Sequence, residues 1–193
     1  MDDNSPDGTQ DQAKKLQELY GKDKIIHAFR PKKLGLGTAY LHALKFATGQ
    51  FVILLDADLS HHVNDFFYYF FNKYSFFQPK FIPTMIKRQI ETNSDVVTGS
   101  RYRSGGGVAG WNFTRKIISS GANYVATVLL RPGVTDLTGS FRLYRREVLE
   151  SLLPKVTMKG YVFQLEIIFL AKENGFKVSE VCFSNFIFCY ITF

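Results

Sequence analysis

The chain has 193 residues, 46% of them hydrophobic, which fits one globular domain with a sizeable core. Its formal charge of +7 favours polyanionic partners, namely nucleic acid, phosphorylated ligands or anionic membrane surfaces, without choosing among them. The only cysteines, Cys182 and Cys189, exclude a disulfide-stapled secreted scaffold, and the lack of a run of about 18 apolar residues excludes a membrane-spanning helix.

The first third of the chain alternates between helix and strand patterns. A turn at 4–9 precedes a helix that Gly21 stops, and "KIIHAF" (24–29) has the pattern of a strand. "GLGTAYLHALKFATG" (35–49) repeats apolar residues at helical spacing. "FVILLD" (51–56) is a continuous apolar run, typical of a strand buried on both faces. This order predicts a βαβ unit.

The remainder of the chain continues the alternation. The predicted elements are a strand at 95–102, a glycine-rich loop at 103–110, a helix at 112–130, a strand at 140–145 and helices at 146–153 and 162–175. We therefore predict a single α/β domain over residues 1–193, with a mostly parallel, doubly wound sheet flanked by helices.

Two aspartates mark the candidate site. Asp56 and Asp58 stand where the apolar strand gives way to a loop, the edge at which open α/β sheets bind ligands. Residues i and i+2 of a strand share a face, so both carboxylates can converge on one cation. Hard oxygen donors suit Mg²⁺ or Mn²⁺ better than zinc, and such an ion would clamp a diphosphate leaving group. A solvated loop with two acids is the alternative.

Other polar clusters carry a weaker signal. "KKLGLGTA" (32–39) opens a predicted helix and fits either a phosphate-cradling loop or a plain tight turn. The basic residues around the glycine-rich loop are Arg101, Arg103, Arg115 and Lys116. They suit a phosphate acceptor or an ordinary basic surface.

Six segments, in order and spacing, resemble the catalytic subunits of dolichol-phosphate mannosyltransferases, which are family 2 glycosyltransferases of the GT-A fold. The segments are "DDNSPDGT" (2–9), "KKLGLGTAY" (32–40), "DADLSHH" (56–62), "GSRYRSGGGVAGW" (99–111), "RKIISSGAN" (115–123) and "DLTGSFRLYRREVLE" (136–150). The resemblance covers most of residues 2–62 and 79–180.

The resemblance implies a Rossmann-like GT-A domain that transfers mannose from GDP-mannose to dolichyl phosphate with inversion. It implies Mg²⁺ or Mn²⁺ as cofactor and a peripheral place on the cytosolic face of the endoplasmic reticulum membrane. The implied partners are the two substrates and small membrane-anchoring subunits, and nucleic acid is not among them. The product is a donor for N-glycan, GPI-anchor and O-mannosyl synthesis.

The matched motifs also imply a donor site. Asp3 resembles the carboxylate that reads the donor base. Asp56 and Asp58 resemble the catalytic pair that holds metal and diphosphate, with Ala57 between them in the same donor-binding motif. Arg101 is the fifth residue implied on the donor side.

The acceptor site is implied by a second set of motifs. Arg101 and Arg115 resemble the arginines that hold the acceptor phosphate. A phosphomonoester with a second pKa near about 6 is already largely ionised at neutral pH, so this acceptor needs no general base. Asp136 and Arg142, in "TDLTGSFR", fit either a sugar pocket or a structural role.

The chain departs from the family pattern in three places. The family's first strand and the nucleotide-contacting motif after it would precede Met1, so we expect part of the donor site to be absent. The family's C-terminal arginine and lysine are missing from the tail, "VCFSNFIFCYITF" (181–193). An aromatic insertion, "VNDFFYYFFNKYSFFQ" (63–78), separates two segments that are contiguous in the family.

Three alternatives to the mannosyltransferase assignment stay open. One is a related polyprenyl-phosphate glycosyltransferase that uses UDP-glucose, and another is a non-catalytic truncated isoform. A phosphohydrolase with a nucleophilic first aspartate is disfavoured, because its motif belongs at the first strand and here a βα unit precedes it.

The insertion at 63–78 leads to a testable hypothesis about the transcript. It opens with valine, whose codons begin GT, and it closes with "FFQ", which pyrimidine-rich DNA ending in CAG encodes. We predict that 63–78 is a retained in-frame intron and that the 181–193 tail is read through another splice junction. A membrane-contact patch is the competing interpretation of 63–78. Sequencing the transcripts tests this, and a fully spliced message that still encodes both segments would rule it out.

Overall fold

The computed structural model describes a defined part of the chain. The described residues are 1–56, 81–100, 102, 107–108, 121, 123–124, 126, 128, 133–158, 160, 162–182 and 184–185. The predicted insertion at 63–78 lies outside them. Among the described residues, no helix combines the length and apolar character needed to cross a membrane.

Helices and strands alternate along the described chain. The helices are α1 (Thr9–Tyr20), α2 (Leu36–Leu44), α3 (Phe81–Thr92), α4 (Arg146–Leu152) and α5 (Val162–Glu173), with a single 3-10 turn at Leu153–Lys155. The strands are β1 (Phe51–Leu54), β2 (Val96–Ser100), β3 (Gly107–Val108), β4 (Arg142–Arg145), β5 (Val178–Cys182) and β6 (Ser184–Asn185).

Most of these elements lie where the sequence patterns predict them. Gly21 ends α1 with a φ of 95°, a backbone conformation that favours glycine. The predicted helix at 112–130 is represented by five described residues, all of them helical. Helix α3 and strand β5 were not predicted, and β5 extends into the expected divergent tail through the buried Val181.

The predicted strand at 24–29 is the clearest error. The segment forms no regular strand, and Phe29 makes an isolated parallel bridge with Asp2. Arg30 N–H donates to the carbonyl of Asp2 over 2.9 Å, and Asp2 N–H donates to the carbonyl of Ala28 over 3.0 Å. An apolar run becomes a strand only where a neighbouring strand supplies a full ladder, and here the described neighbour supplies a single bridge.

The main sheet has four strands in the order β1-β4-β2-β5. Strand β4 is antiparallel to both β1 and β2, and β2 is parallel to β5, so β1, β2 and β5 run in one direction. Their carboxyl ends therefore share one edge of the sheet with the amino end of β4. This is the edge at which α/β sheets bind ligands.

Strand β1 is less buried than its apolar sequence predicts. Within the described sheet β1 is the outer strand and pairs with β4 alone. Phe51 is 40% exposed, and Leu54 is the one buried residue of the strand. The expectation that β1 is buried on both faces was wrong. An apolar run shows that the side chains are hydrophobic, but it does not show whether the strand is central or outer in the sheet.

Two apolar clusters cover the two faces of the sheet. Alternate residues of a strand point to opposite faces, so Val96 and Tyr144 join one cluster while Val97 and Leu143 join the other. The larger cluster packs against α4 and α5, which contribute Val148, Leu149, Leu152, Phe163, Ile167, Ile168 and Ala171. The smaller one contains Met85 of α3.

A pair of leucine substitutions tests this packing. Leu152 of α4 is fully buried, whereas Leu19 of α1 is 73% exposed. Leu152→Ala should lower the free energy of unfolding by about 2 to 5 kcal/mol through lost contacts and a residual cavity, and Leu19→Ala by about 0.5 kcal/mol or less. Urea denaturation followed by far-UV circular dichroism measures both, and equal losses would contradict the packing described.

Candidate active site

A loop lies across the sheet edge at which β1 and β2 end, and we call residues 135–141 the bridging loop. The Ser140 hydroxyl donates a hydrogen bond to Oδ2 of Asp56, just beyond the end of β1. Thr135 and Ser100, the last residue of β2, share a hydrogen bond of 2.5 Å between their hydroxyls. The Glu180 carboxylate of β5 accepts the Thr135 N–H over 2.5 Å. The bridging loop therefore contacts the ends of β1 and β2 and the middle of β5.

Asp136 shapes the bridging loop from inside. Its side chain is fully buried, and Oδ1 accepts the N–H groups of Thr138 over 3.2 Å and Gly139 over 2.9 Å. A Cβ at Gly139 would lie 3.3 Å from the carbonyl oxygen of Gly99, so the loop passes close to the backbone of β2. These contacts give Asp136 a structural role, and a role in a sugar pocket stays a prediction.

Arg142 braces the bridging loop against the core. The side chain is fully buried, with Nη1 donating to the carbonyl of Gln164 over 2.6 Å and Nη2 to the carbonyl of Leu137 over 2.9 Å. The Asn123 side chain accepts the N–H of Leu137 over 2.9 Å. One residue of the loop is thus tied to both α5 and the helical segment around 123.

Helix α2 brings Tyr40 up to the same edge. Burial, and after it the negative charge of Asp56, raises the pKa of the Tyr40 phenol to about 12. The Tyr40 ring packs on Phe163 of α5, with 5.3 Å between ring centroids. Asp56 therefore lies close enough to Tyr40 to disfavour its ionisation, and the phenol stays neutral at physiological pH.

The first turn of the chain is fixed by Asp2. Its carboxylate accepts the Ser5 hydroxyl over 2.5 Å and the Ser5 N–H over 3.0 Å. These bonds, the hydroxyl first, hold the pKa of Asp2 below its ordinary value. The segment "DDNSPDGT" (2–9) therefore begins with a local turn, and this turn sets the position of Asp3.

Asp3 is bound by an arginine that sequence reasoning missed. Arg30 donates to both carboxylate oxygens of Asp3, each over 2.6 Å, and its Nη1 donates to the Thr38 hydroxyl over 2.8 Å. Arg30 is only 5% exposed. Through Thr38 the pair also anchors the glycine-containing turn before α2, where the Thr38 hydroxyl donates to the carbonyl of Gly35 over 2.8 Å. No motif singles out Arg30.

The remaining predicted site residues are Ala57, Asp58, Arg101 and Arg115, and all four lie outside the described residues. Asp56 and Asp3 are described, in separate hydrogen-bond clusters. Ser100, which precedes Arg101 in the sequence, accepts the N–H of Tyr102 over 3.2 Å. The roles assigned to all six residues stay predictions.

The described residues fit a hard cation at Asp56. Its carboxylate is exposed at a strand end and offers the oxygen donor that Mg²⁺ and Mn²⁺ prefer. Within the described part of the chain, no group of three or more histidine, cysteine, aspartate or glutamate side chains forms a complete metal site. Asp56 can therefore contribute one ligand, and a second protein ligand has to come from elsewhere, as predicted for Asp58.

Comparison with known proteins decides the family. Residues 1–153 match the profile of glycosyl transferase family 2. This chain belongs to glycosyl transferase family 2. The membership confirms the resemblance inferred from the motifs.

Two relatives show which kinds of family 2 enzyme the chain is similar to. The chain is 36% identical over 185 residues to the polyprenol monophosphomannose synthase of Mycolicibacterium smegmatis, covering 94% of this chain and 63% of the relative. It is 35% identical over 188 residues to the dolichol-phosphate mannosyltransferase of Pyrococcus furiosus, covering 95% of this chain and 46% of the relative. The chain therefore spans about half to two thirds of these relatives.

Solved structures confirm the GT-A fold. Glucosyl-3-phosphoglycerate synthase from Mycobacterium tuberculosis superposes with a TM-score of 0.62 at 16% identity, covering 95% of this chain and 57% of that one. At this identity the likeness concerns the fold alone. The family 2 domain of this chain is thus an α/β GT-A domain with a mixed sheet.

Removing Asp3 should destabilise the family 2 domain. Asp3→Ala leaves the buried Arg30 guanidinium without its carboxylate, and we expect a loss of about 3 kcal/mol in the free energy of unfolding. Asp11→Ala is the matched control, because Asp11 faces Lys14 at 3.7 Å in an exposed pair and such pairs contribute about 1 kcal/mol or less. Urea denaturation measures both, and equal effects would contradict the geometry of the Asp3–Arg30 pair.

Proposed function

We propose that this family 2 chain transfers mannose from GDP-mannose to dolichyl phosphate and forms dolichyl phosphate mannose. The two relatives at 35–36% identity support the substrate class. One is named polyprenol monophosphomannose synthase and the other dolichol-phosphate mannosyltransferase. The observation that carries the proposal is the Asp56 carboxylate at the ligand-binding edge, held by Ser140. Because the chain spans only part of these relatives, the activity of the whole protein is part of the proposal.

The donor diphosphate is proposed to bind at Asp56, Ala57 and Asp58 together with Mg²⁺ or Mn²⁺. When bound, the metal ion would stabilise negative charge on the departing GDP. The M. tuberculosis structures named above include complexes with Mn²⁺ and UDP and with Mg²⁺ and UDP, which supports a divalent cation in this fold. Asp3, fixed by Arg30, is proposed to lie at the base end of the donor.

The acceptor is proposed to bind through cations. A phosphomonoester is largely dianionic at neutral pH and can attack the sugar without a general base. The chain then has to bind and align the phosphate, a task proposed for Arg101 and Arg115. Attack from the face opposite the departing diphosphate inverts the anomeric centre.

The proposed location follows from the proposed acceptor. We place the protein at the cytosolic face of the endoplasmic reticulum membrane, held by small membrane-anchoring subunits, with residues 1–193 acting as one domain. The net charge of +7 favours an anionic surface. Nucleic acid has no part in this proposal.

A transfer assay with donor and acceptor tests the proposed function. The purified chain, supplied with Mn²⁺ and dolichyl phosphate, should transfer label from GDP-mannose faster than from UDP-glucose. Asp56→Asn should lower the rate by about 100-fold or more, because a neutral amide binds a divalent cation poorly. Asp11→Asn, an exposed carboxylate on α1, should leave the rate unchanged.

The outcomes separate the alternatives. Preferred transfer from UDP-glucose would replace the mannosyltransferase by a related polyprenyl-phosphate glucosyltransferase. No transfer and no binding of either donor, beside a full-length relative that is active, would show a non-catalytic chain. Equal rates for Asp56→Asn and Asp11→Asn would remove Asp56 from the site.

A further inference from the structure

The contact between Ser140 and Asp56 joins two distant parts of the chain. The Ser140 hydroxyl donates to Oδ2 of Asp56 across 84 positions of sequence. Asp56 lies just beyond the end of β1, and an aspartate side chain can rotate about its two side-chain bonds. The hydrogen bond from Ser140 to Oδ2 limits that rotation and so restricts the direction in which Oδ1 points.

Hydrogen-bonded residues flank Ser140 on either side in sequence. Two residues before it, the hydroxyl and N–H of Thr138 bond to the Asp136 carboxylate over 3.3 Å and 3.2 Å. Two residues after it, Arg142 is fixed in β4 and donates to the carbonyl of Leu137 over 2.9 Å. These bonds fix the backbone of the bridging loop on both sides of Ser140.

The other end of the bridging loop reaches the strand that leads to Arg101. Thr135 shares its hydroxyl bond of 2.5 Å with Ser100, and Ser100 accepts the N–H of Tyr102 over 3.2 Å. Glu180 accepts both the N–H and, over 3.1 Å, the hydroxyl of Thr135. The bridging loop thus connects Asp56, beyond the end of β1, with Ser100 at the end of β2.

We propose that Ser140 is a positioning residue that orients the Asp56 carboxylate for a divalent cation, with the bridging loop as its rigid support. The inference rests on the proposed function, since it takes Asp56 as a metal ligand. Hydrogen bonds to ligating groups fix their orientation, and their removal typically lowers metal affinity about 10- to 100-fold. Ser140 acts through Asp56 and has no contact with the reacting atoms in this proposal.

Manganese binding measures this role without relying on turnover. The purified 193-residue chain is titrated with Mn²⁺, alone and with GDP or UDP, and free Mn²⁺ is followed by electron paramagnetic resonance. Ser140→Ala should weaken Mn²⁺ binding about tenfold or more, and Ser140→Thr, which keeps a hydroxyl, should restore most of it. Asp56→Asn should abolish binding at this site.

A matched control and an isosteric pair separate positioning from folding. Ser151→Ala removes a serine hydroxyl that donates to the carbonyl of Val148 over 2.8 Å within α4, and it should leave Mn²⁺ affinity unchanged. If Ser140→Ala unfolds more easily than the unsubstituted chain, the Mn²⁺ affinities of Ser140→Thr and Ser140→Val are compared instead. The threonine and valine side chains match in shape and differ in the hydroxyl, so this comparison isolates the hydrogen bond. The threonine variant should then bind Mn²⁺ more tightly.

The results distinguish failure of this inference from failure of the proposed function. Lost binding in Asp56→Asn together with unchanged affinity in Ser140→Ala, or equal affinities in Ser140→Thr and Ser140→Val, would overturn the role of Ser140 and leave the proposed metal site standing. Unchanged binding in Asp56→Asn, or no Mn²⁺ binding by the unsubstituted chain under any condition, would overturn both.

Discussion

Arg142 carries its positive charge at the fully buried amino end of β4, where its guanidinium donates to the carbonyl oxygens of Gln164 and Leu137. Taking a charge out of water costs several kcal/mol unless strong hydrogen bonds offset it, so both carbonyls have to stay within reach. One carbonyl belongs to α5, which contributes buried residues to the larger apolar cluster, and the other belongs to the bridging loop. Arg142 therefore ties the bridging loop, which contacts Asp56 through Ser140, to helix α5.

Sheet direction explains why these partners meet at all. Strands β1, β2 and β5 end at the edge where β4 begins, because β4 is antiparallel to its neighbours. Contacts across that edge therefore join residues far apart in sequence, such as Asp56 with Ser140 and Thr135 with Glu180. The bridging loop leads directly into β4, so it has to cross the ends of the other strands.

The agreement between sequence and structure is uneven for a physical reason. Helices α1, α2, α4 and α5 were predicted because helical periodicity and a glycine stop are local properties, readable within a dozen residues. The segment at 24–29 has a strand's composition, yet strand formation needs a partner ladder that no local pattern records. The same limit applies to β1, whose apolar run says nothing about its outer place in the described sheet.

The amino-acid sequence by itself determined the family, the α/β class and the candidate aspartate at the end of β1, because motif order and apolar periodicity survive as one-dimensional patterns. Only the tertiary structure decided that Arg30 binds Asp3, that Arg142 is a buried brace and that Ser140 holds Asp56. Each of these contacts depends on where the strands end relative to one another. A hydrogen bond requires its two heavy atoms to lie within about 3 Å, and no sequence pattern gives atomic positions with that precision. The chemistry of the candidate site is thus visible in the residue types, while its geometry arises from the fold.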